Sequence, residues 1–291
     1  MTLIGENNFG RIKQEGLGES LAQLVIEHQS CRARVSLYGG QVLAWRPSGQ
    51  EEVFWLSNSS DYSQGKAIRG GIPLCWPWFG AHPNAEGAGN HGFARNVVWQ
   101  LSSSEITEAG VELELVWQGE NQHPQWPFKT KVVQKLVLGE TFTQQLTIEN
   151  QSPDTIEFTG ALHSYFAVSN PAQVTIPNLD NVPFDCKLSE QKGQQDSLEN
   201  SVGPLDRIYY SDQPMKIIDA GKQRVINLMP NQVNNWVLWN PGQKTAAGMA
   251  DVHAGGEQEY VCLEAANIQP LTIASGESVT FGQVISLAKL S

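Results

Sequence analysis

Alternation with a period of two is the feature that most limits what this chain can fold into. In Val111-Glu112-Leu113-Glu114-Leu115-Val116-Trp117 the odd positions are apolar, while Glu112 and Glu114 face the other way. That pattern belongs to a strand with one buried face. Lys131 to Leu138 and Thr141 to Glu149 are two further β-rich runs, and Gly139-Glu140 between them reads as a two-residue hairpin turn. Gln23 to Glu27, Thr155 to Phe158, Arg224 to Leu228, Trp236 to Trp239, Tyr260 to Glu264 and Val279 to Leu287 add more strands. No long apolar stripe of helical period occurs, although Ser57 to Gln64 is expected to hold a short helix. Many strands joined by Gly, Pro and Asn turns predict an all-β antiparallel sandwich of large sheets. A single domain over residues 1–291 is expected, with Ser189 to Gly203 as a surface loop inside it.

Charge narrows the partners. Nineteen basic against thirty acidic residues give a net charge of −11, which disfavours nucleic acid and anionic membrane surfaces. A small anion can still be held by a local Arg cluster. Cys31, Cys75, Cys186 and Cys262 are scattered, with no Cys-x-x-Cys pair, and no apolar run is long enough to span a bilayer. These features lead to the expectation of a cytoplasmic protein with free thiols, and the polar outer strand positions to that of a monomer. The six His residues show no zinc spacing, and Asp251 with His253 makes a pair of ligands rather than a site. No Gly-x-Ser-x-Gly elbow and no phosphate-cradling Lys-Ser or Lys-Thr loop is present.

One stretch departs from the alternation. Ile68-Arg69-Gly70-Gly71-Ile72-Pro73-Leu74-Cys75-Trp76-Pro77-Trp78-Phe79-Gly80, followed by Asn90-His91-Gly92-Phe93-Ala94-Arg95, has neither strand nor helix period. Such Gly- and Pro-punctuated loops place fixed polar groups against flat walls. Trp76, Trp78 and Phe79 are expected to form the walls, and Arg69, His91 and Arg95 the donors. The inventory suits a polar, ring-shaped, anionic ligand. Local packing of the aromatics and loop bridging by the arginines are the plain structural alternatives.

Two titratable residues stand in apolar strands: His163 in Gly160 to Phe166, and Glu264 in Val261 to Asn267. Burying Glu264 among Leu and Ala is expensive without donors or a task, and desolvation raises its pKa towards that of a useful general base. His163 is the complementary acid near neutral pH. Together they can remove one proton and add another on the same molecule, a contribution of roughly 10²–10⁴-fold for a positioned group. Each alone also reads as a satisfied structural residue.

Six motifs in order give the chain a family resemblance: Arg69-Gly-Gly-Ile-Pro with Trp76-Pro-Trp-Phe-Gly, Asn90-His-Gly-Phe-Ala-Arg95, Leu162-His-Ser-Tyr-Phe166, Asp206-Arg-Ile-Tyr209, Trp239-Asn-Pro241 and Glu264-Ala-Ala-Asn267. From about Cys31 to the last strand, the sequence resembles the hexose-6-phosphate mutarotases (glucose-6-phosphate 1-epimerases), a branch of the aldose 1-epimerase superfamily. The resemblance implies a galactose-mutarotase-like β-supersandwich and an isomerase that interconverts α and β anomers without a metal or organic cofactor. It implies that Glu264 takes the proton from the anomeric hydroxyl while His163 protonates the ring oxygen. It further implies substrate contacts from Arg69, Asn90, Arg95 and Asp206, with His91 beside the sugar and Trp239 supplying a ring face. Asn90 is one methylene shorter than the Gln of some relatives, so its contact can run through water. Mutarotation of unphosphorylated aldoses, or a carbohydrate-binding module without turnover, are the alternatives. A binding module has no need for both an acid and a base.

Overall fold

The computed structural model describes residues 1–290 and is built almost wholly of antiparallel strands in three sheets. The first sheet is a five-stranded meander of Thr2–Asn7, Gly10–Leu17, Leu21–His28, Cys31–Ser36 and Val42–Pro47. The second has eight strands, ordered Val174–Thr175, Met215–Asp219, Arg224–Asn231, Ser278–Lys289, Phe142–Asn150, Thr130–Gly139, Gly110–Gly119 and Gln100–Ile106. The third runs Gln191–Gly193, Phe184–Cys186, Leu205–Tyr209, Asn235–Asn240, Tyr260–Ile273, Ile156–Leu162 and Leu74–Cys75, with Tyr165–Ala167 also paired to Tyr260–Ile273. The only α-helix among the described residues is the single turn Gly242–Ala246. This is the all-β architecture of large antiparallel sheets that the alternation predicts.

The strands expected from alternation form, and their buried faces show why. In Phe142–Asn150 every second residue is buried, from Phe142 through Leu146 and Ile148 to Asn150. One apolar cluster takes residues from all three sheets, among them Leu24, Val111 and Trp236. An aromatic chain ties the layers together. Trp45 of the first sheet lies 5.5 Å from Phe142 of the second, which meets Phe54 edge-on at 5.3 Å, and Phe54 lies 5.8 Å from Phe166 of the third. Such pairs contribute about 0.5–1.5 kcal/mol each beyond the area they bury.

Two local expectations are corrected. The Gly139-Glu140 turn is three residues long, because Phe142 pairs with Leu138 and the Gly139 N–H donates to Thr141 O. No helix forms over Ser57 to Gln64. There the Ser57 hydroxyl accepts from the Ser59 N–H and the Ser60 hydroxyl from the Arg69 N–H, so short polar side chains satisfy the backbone in turns instead. The strand Thr2–Asn7 carries no alternation, because almost all of it is exposed.

The Gly pair after Arg69 has a steric cause. Gly71 has φ +62°, and a Cβ there would stand 2.0 Å from Val42 O. The segment threads between the first and third sheets. The Gly71 N–H donates to Trp55 O, its carbonyl accepts from the Tyr165 N–H, and Pro73 O accepts from the His163 N–H. Only glycine lets the backbones approach this closely. The loop therefore holds Arg69 beside the strand that carries His163.

Candidate active site

Register brings the polar residues onto one face of the third sheet. Asp206 pairs with Trp239, Trp239 with Cys262, and Cys262 with Tyr165. Two residues along, Ile208 pairs with Val237 and Val237 with Glu264. The strand Ile156–Leu162 is interrupted after Leu162 and resumes at Tyr165, placing His163 at the break and opposite Glu264. Because side chains alternate across a sheet, Asp206, Trp239, His163, Tyr165 and Glu264 share a face. The floor between them is small and apolar, formed by Cys75, Ala161, Ile208, Val237 and Ala266.

His163 and Glu264 lie at the bottom of this face, 7% and 1% exposed. His163 Nδ1 stands 3.2 Å from Glu264 Oε1. The atoms are close but poorly aligned, and His163 Nδ1 and Glu264 Oε2 have no hydrogen-bond partner. Burial, reinforced by Asp206 and opposed by Arg95, pushes the Glu264 carboxyl well above its usual range. Burial, with His91, Arg95 and Arg69 nearby, holds His163 well below the usual imidazole value. Desolvation dominates both shifts, so the pair resists carrying net charge. A buried acid and a buried base with unsatisfied polar atoms are equipped to exchange protons with a bound molecule.

The surroundings fix the imidazole. Its ring stacks on Tyr165 at 4.8 Å and 10°, and Trp239 meets it edge-on at 5.9 Å. The Tyr165 hydroxyl accepts from Arg69 Nη1 at 2.8 Å, while Arg69 Nε and Nη2 reach Asp251 Oδ2 at 3.0 and 2.9 Å. Asp251 thus neutralises Arg69, and the trio braces the back of His163. Arg95 differs. Its Nη2 donates to Asn90 O at 3.0 Å, its Nε is buried without a partner, and no carboxylate pairs with it among the described residues. Arg95 is an uncompensated cation beside the acid and base.

His91 sits in the left-handed region at φ 67° and lies 5.9 Å from the His163 ring. Its Nδ1 accepts from the Gly80 N–H at 3.2 Å, which puts the proton of the neutral ring on Nε2. Burial, then Arg95 and Arg69, lowers its pKa to about 3. The tight turn beside it requires Gly92, where a Cβ would stand 2.1 Å from Trp76 O. The Asn90 side chain is exposed and only its carbonyl is engaged, by Arg95. Asp206 is half-buried with a raised pKa, chiefly from desolvation.

The expected aromatic walls are corrected in part. Trp76 and Trp78 are 0% and 4% exposed, because they pack into the core against Phe93, Trp117 and Trp126 rather than line a cleft. Phe79 is half-buried and meets His91 edge-on at 5.0 Å. Sequence reasoning missed Tyr165 and Asp251. Tyr165 was within reach, since it follows His163 by two residues and so shares its face. Asp251 was not, because its partner Arg69 lies 182 residues away. His253, considered beside Asp251 as a chelating pair, turns instead to Glu259 at 3.0 Å.

The sequence pattern of the family described as Aldose 1-epimerase matches residues 22–286. A protein of Escherichia coli K12, provisionally named glucose-6-phosphate 1-epimerase, is 35% identical over 253 residues, covering 85% of this chain and 84% of its own. A Salmonella typhimurium protein with the same provisional name is 34% identical over 250 residues, 84% of this chain and 83% of its own. A crystal structure of a provisionally named mutarotase from Salmonella typhimurium superposes with a TM-score of 0.90 at 30% identity, covering 99% of this chain and 96% of that one.

Proposed function

The chain belongs to the aldose 1-epimerase family and is an isomerase of that family, and from this premise we propose that it interconverts the α and β anomers of D-glucose 6-phosphate and related hexose 6-phosphates. The observation that carries the proposal is the 3.2 Å approach of His163 to Glu264, each with an unpartnered polar atom, beside the uncompensated Arg95.

The pair holds one proton between them. Transfer from Glu264 to His163 leaves the pair without net charge and yields a carboxylate base and an imidazolium acid. Glu264 takes the proton of the anomeric O1–H while His163 gives its proton to the ring oxygen O5. The C1–O5 bond breaks and C1 becomes an aldehyde. After rotation about C1–C2, the O5 hydroxyl attacks the other face of C1. His163 recovers its proton from O5 and Glu264 returns one to O1. Only protons are exchanged between protein and sugar, and both groups end as they began. His91, kept neutral by burial, offers a hydrogen bond to the sugar without adding a second charge. Asp206 accepts from sugar hydroxyls, and Trp239 faces the ring. Arg95 holds the phosphate in charge-assisted contacts, each contributing about 1.5–3 kcal/mol. Arg69, already paired with Asp251, supports the site mainly by fixing Tyr165. The shared core of the three sheets supports one folded unit carrying one site.

Exchange NMR on equilibrated glucose 6-phosphate tests this reading. Magnetisation transfer between the two anomeric protons should accelerate with the protein and return to the buffer rate with His163→Ala or Glu264→Gln. Acceleration of free galactose alone would remove the phosphate from the proposal. No acceleration of either sugar would favour a binding module.

A further inference from the structure

The inner face of the second sheet carries polar residues where alternation calls for apolar ones. Gln134, Gln144 and Gln283 occupy buried positions on three neighbouring strands, and all are 0% exposed. They form one chain. Gln134 Nε2 donates to Gly40 O at 2.6 Å, Gln144 Nε2 to Gln134 Oε1 at 2.7 Å, and Gln283 Nε2 to Gln144 Oε1 at 3.1 Å. Gln283 Nε2 also donates to Ser164 Oγ at 2.9 Å. Ser164 is itself fully buried and lies at the strand break that carries His163.

The direction of this chain is not free. Gly40 O is a backbone carbonyl and can only accept, so Gln134 must turn its amide nitrogen towards it. The Gln134 oxygen then faces Gln144, which must donate. The Gln144 oxygen in turn faces Gln283, which must donate as well. Both hydrogens of Gln283 are used, and its Oε1 is left buried without a partner. Ser164 Oγ is thereby forced to accept from Gln283, and its own hydrogen is left for Leu162 O at 3.4 Å. An aliphatic core would avoid the unsatisfied carbonyl, so its retention calls for another explanation.

We propose that Gln283 is a positioning residue for the anomerisation reaction: through Ser164 it fixes the strand break that aims His163 at Glu264, with Gln144 and Gln134 setting its orientation from Gly40. This rests on the mutarotase reading above. Gln283 touches neither substrate nor the acid–base pair, and it acts only through the backbone that carries the imidazole. Misplacement of a reacting group by about 1 Å can cost on the order of 100-fold.

The test uses Gln283→Met, Gln283→Glu and Ser164→Ala. The first removes the link between Gln144 and Ser164, the second keeps its size but cannot donate to two acceptors, and the third removes the acceptor. Exchange NMR should show kcat for glucose 6-phosphate lowered by about 10- to 100-fold in each, with KM within about twofold of the parent. Gln283→Met combined with Ser164→Ala should be no slower than the slower single variant, since one link is broken either way. The ¹⁵N imidazole signals of His163, assigned by their loss in His163→Ala, should shift or broaden in all three. That readout needs no turnover, so it remains decisive if the wild-type protein proves inactive on the sugar and the mutarotase reading falls. Unchanged imidazole signals in folded variants would overturn the proposal, and so would unchanged kcat in an active enzyme or losses that simply add.

Discussion

His163 Nδ1 and Glu264 Oε1 approach to 3.2 Å in a buried setting without forming an aligned hydrogen bond. The residues are held by different strands of one sheet, and neither needs the other to keep its place. His163 is fixed by Tyr165, Trp239 and the Pro73 carbonyl, and Glu264 by its ladder position opposite Val237. A pair placed this way is close enough to share a proton and loose enough to give it up.

Replacing Glu264 by Gln should therefore separate catalysis from stability. Turnover of glucose 6-phosphate should fall by roughly 10²–10⁴-fold while sugar phosphate still binds. Stability should move the other way. The Glu264 pKa is raised on folding, so its contribution is fully present below the unfolded value near 4.5 and is lost as pH rises through the folded value. Urea unfolding should show Glu264→Gln gaining on the parent as pH rises and converging with it near pH 4.5. Retained turnover would sink the mechanism.

The pH profile of kcat follows from the pair acting with one proton. Burial holds His163 well below its usual 6.5, so the acid limb, where the pair gains a second proton, lies well below pH 6.5. The alkaline limb, where the pair loses its only proton, lies well above the ordinary carboxylate range because Glu264 is raised. Rates should be flat between the two limbs, which belong to the pair rather than to either residue. An acid limb centred on the pKa of a free imidazole would contradict the assignment.

Arg95 and Arg69 should respond differently to truncation. Arg95→Ala removes an uncompensated cation, so KM for glucose 6-phosphate should rise by roughly 10- to 150-fold with little change for free glucose. Arg69→Ala strands Asp251 and frees Tyr165, so kcat should drop for both sugars. Steady-state kinetics on the two substrates distinguish these outcomes, and equal effects of Arg95→Ala on both would remove its phosphate role.

His91 links the site to acid stability. Its folded pKa is depressed from 6.5 to about 3, so the stability it contributes is complete above pH 6.5 and is lost as pH falls towards 3. His91→Asn, which tolerates the left-handed backbone at φ 67°, should flatten the dependence of the urea midpoint between those limits. An unchanged slope would show that His91 does not resist protonation in the folded protein.

Two glycines separate backbone strain from crowding. Gly49 has φ +73° with open space around its Cβ position, whereas Gly71 has φ +62° and Val42 O only 2.0 Å away. Gly49→Ala should cost about 1–2 kcal/mol from the left-handed angle alone, and Gly71→Ala distinctly more. Calorimetric melting of the two variants makes the comparison, and equal losses would deny the close approach.

Much was legible in the chain itself. The alternation from Val111 to Trp117 fixes a half-buried strand, because side-chain direction reverses at every residue of an extended backbone. The ordered motifs from Arg69 to Asn267 carry the family, since each names residues whose types are constrained locally. Alternation could not anticipate that Gln134, Gln144 and Gln283 would occupy core positions, because their burial depends on partners across strands. Nor could it tell that Trp76 and Trp78 belong to the core rather than to the cleft. Register alone set His163 opposite Glu264, about a hundred residues further along the chain. Charge compensation is a property of space rather than of sequence: Asp251 reaches Arg69 across 182 residues and leaves Arg95 as the free cation. A strand's period is dictated by the backbone of a few residues. Which groups meet, and which remain unpaired, was decided only when the sheets had closed on one another.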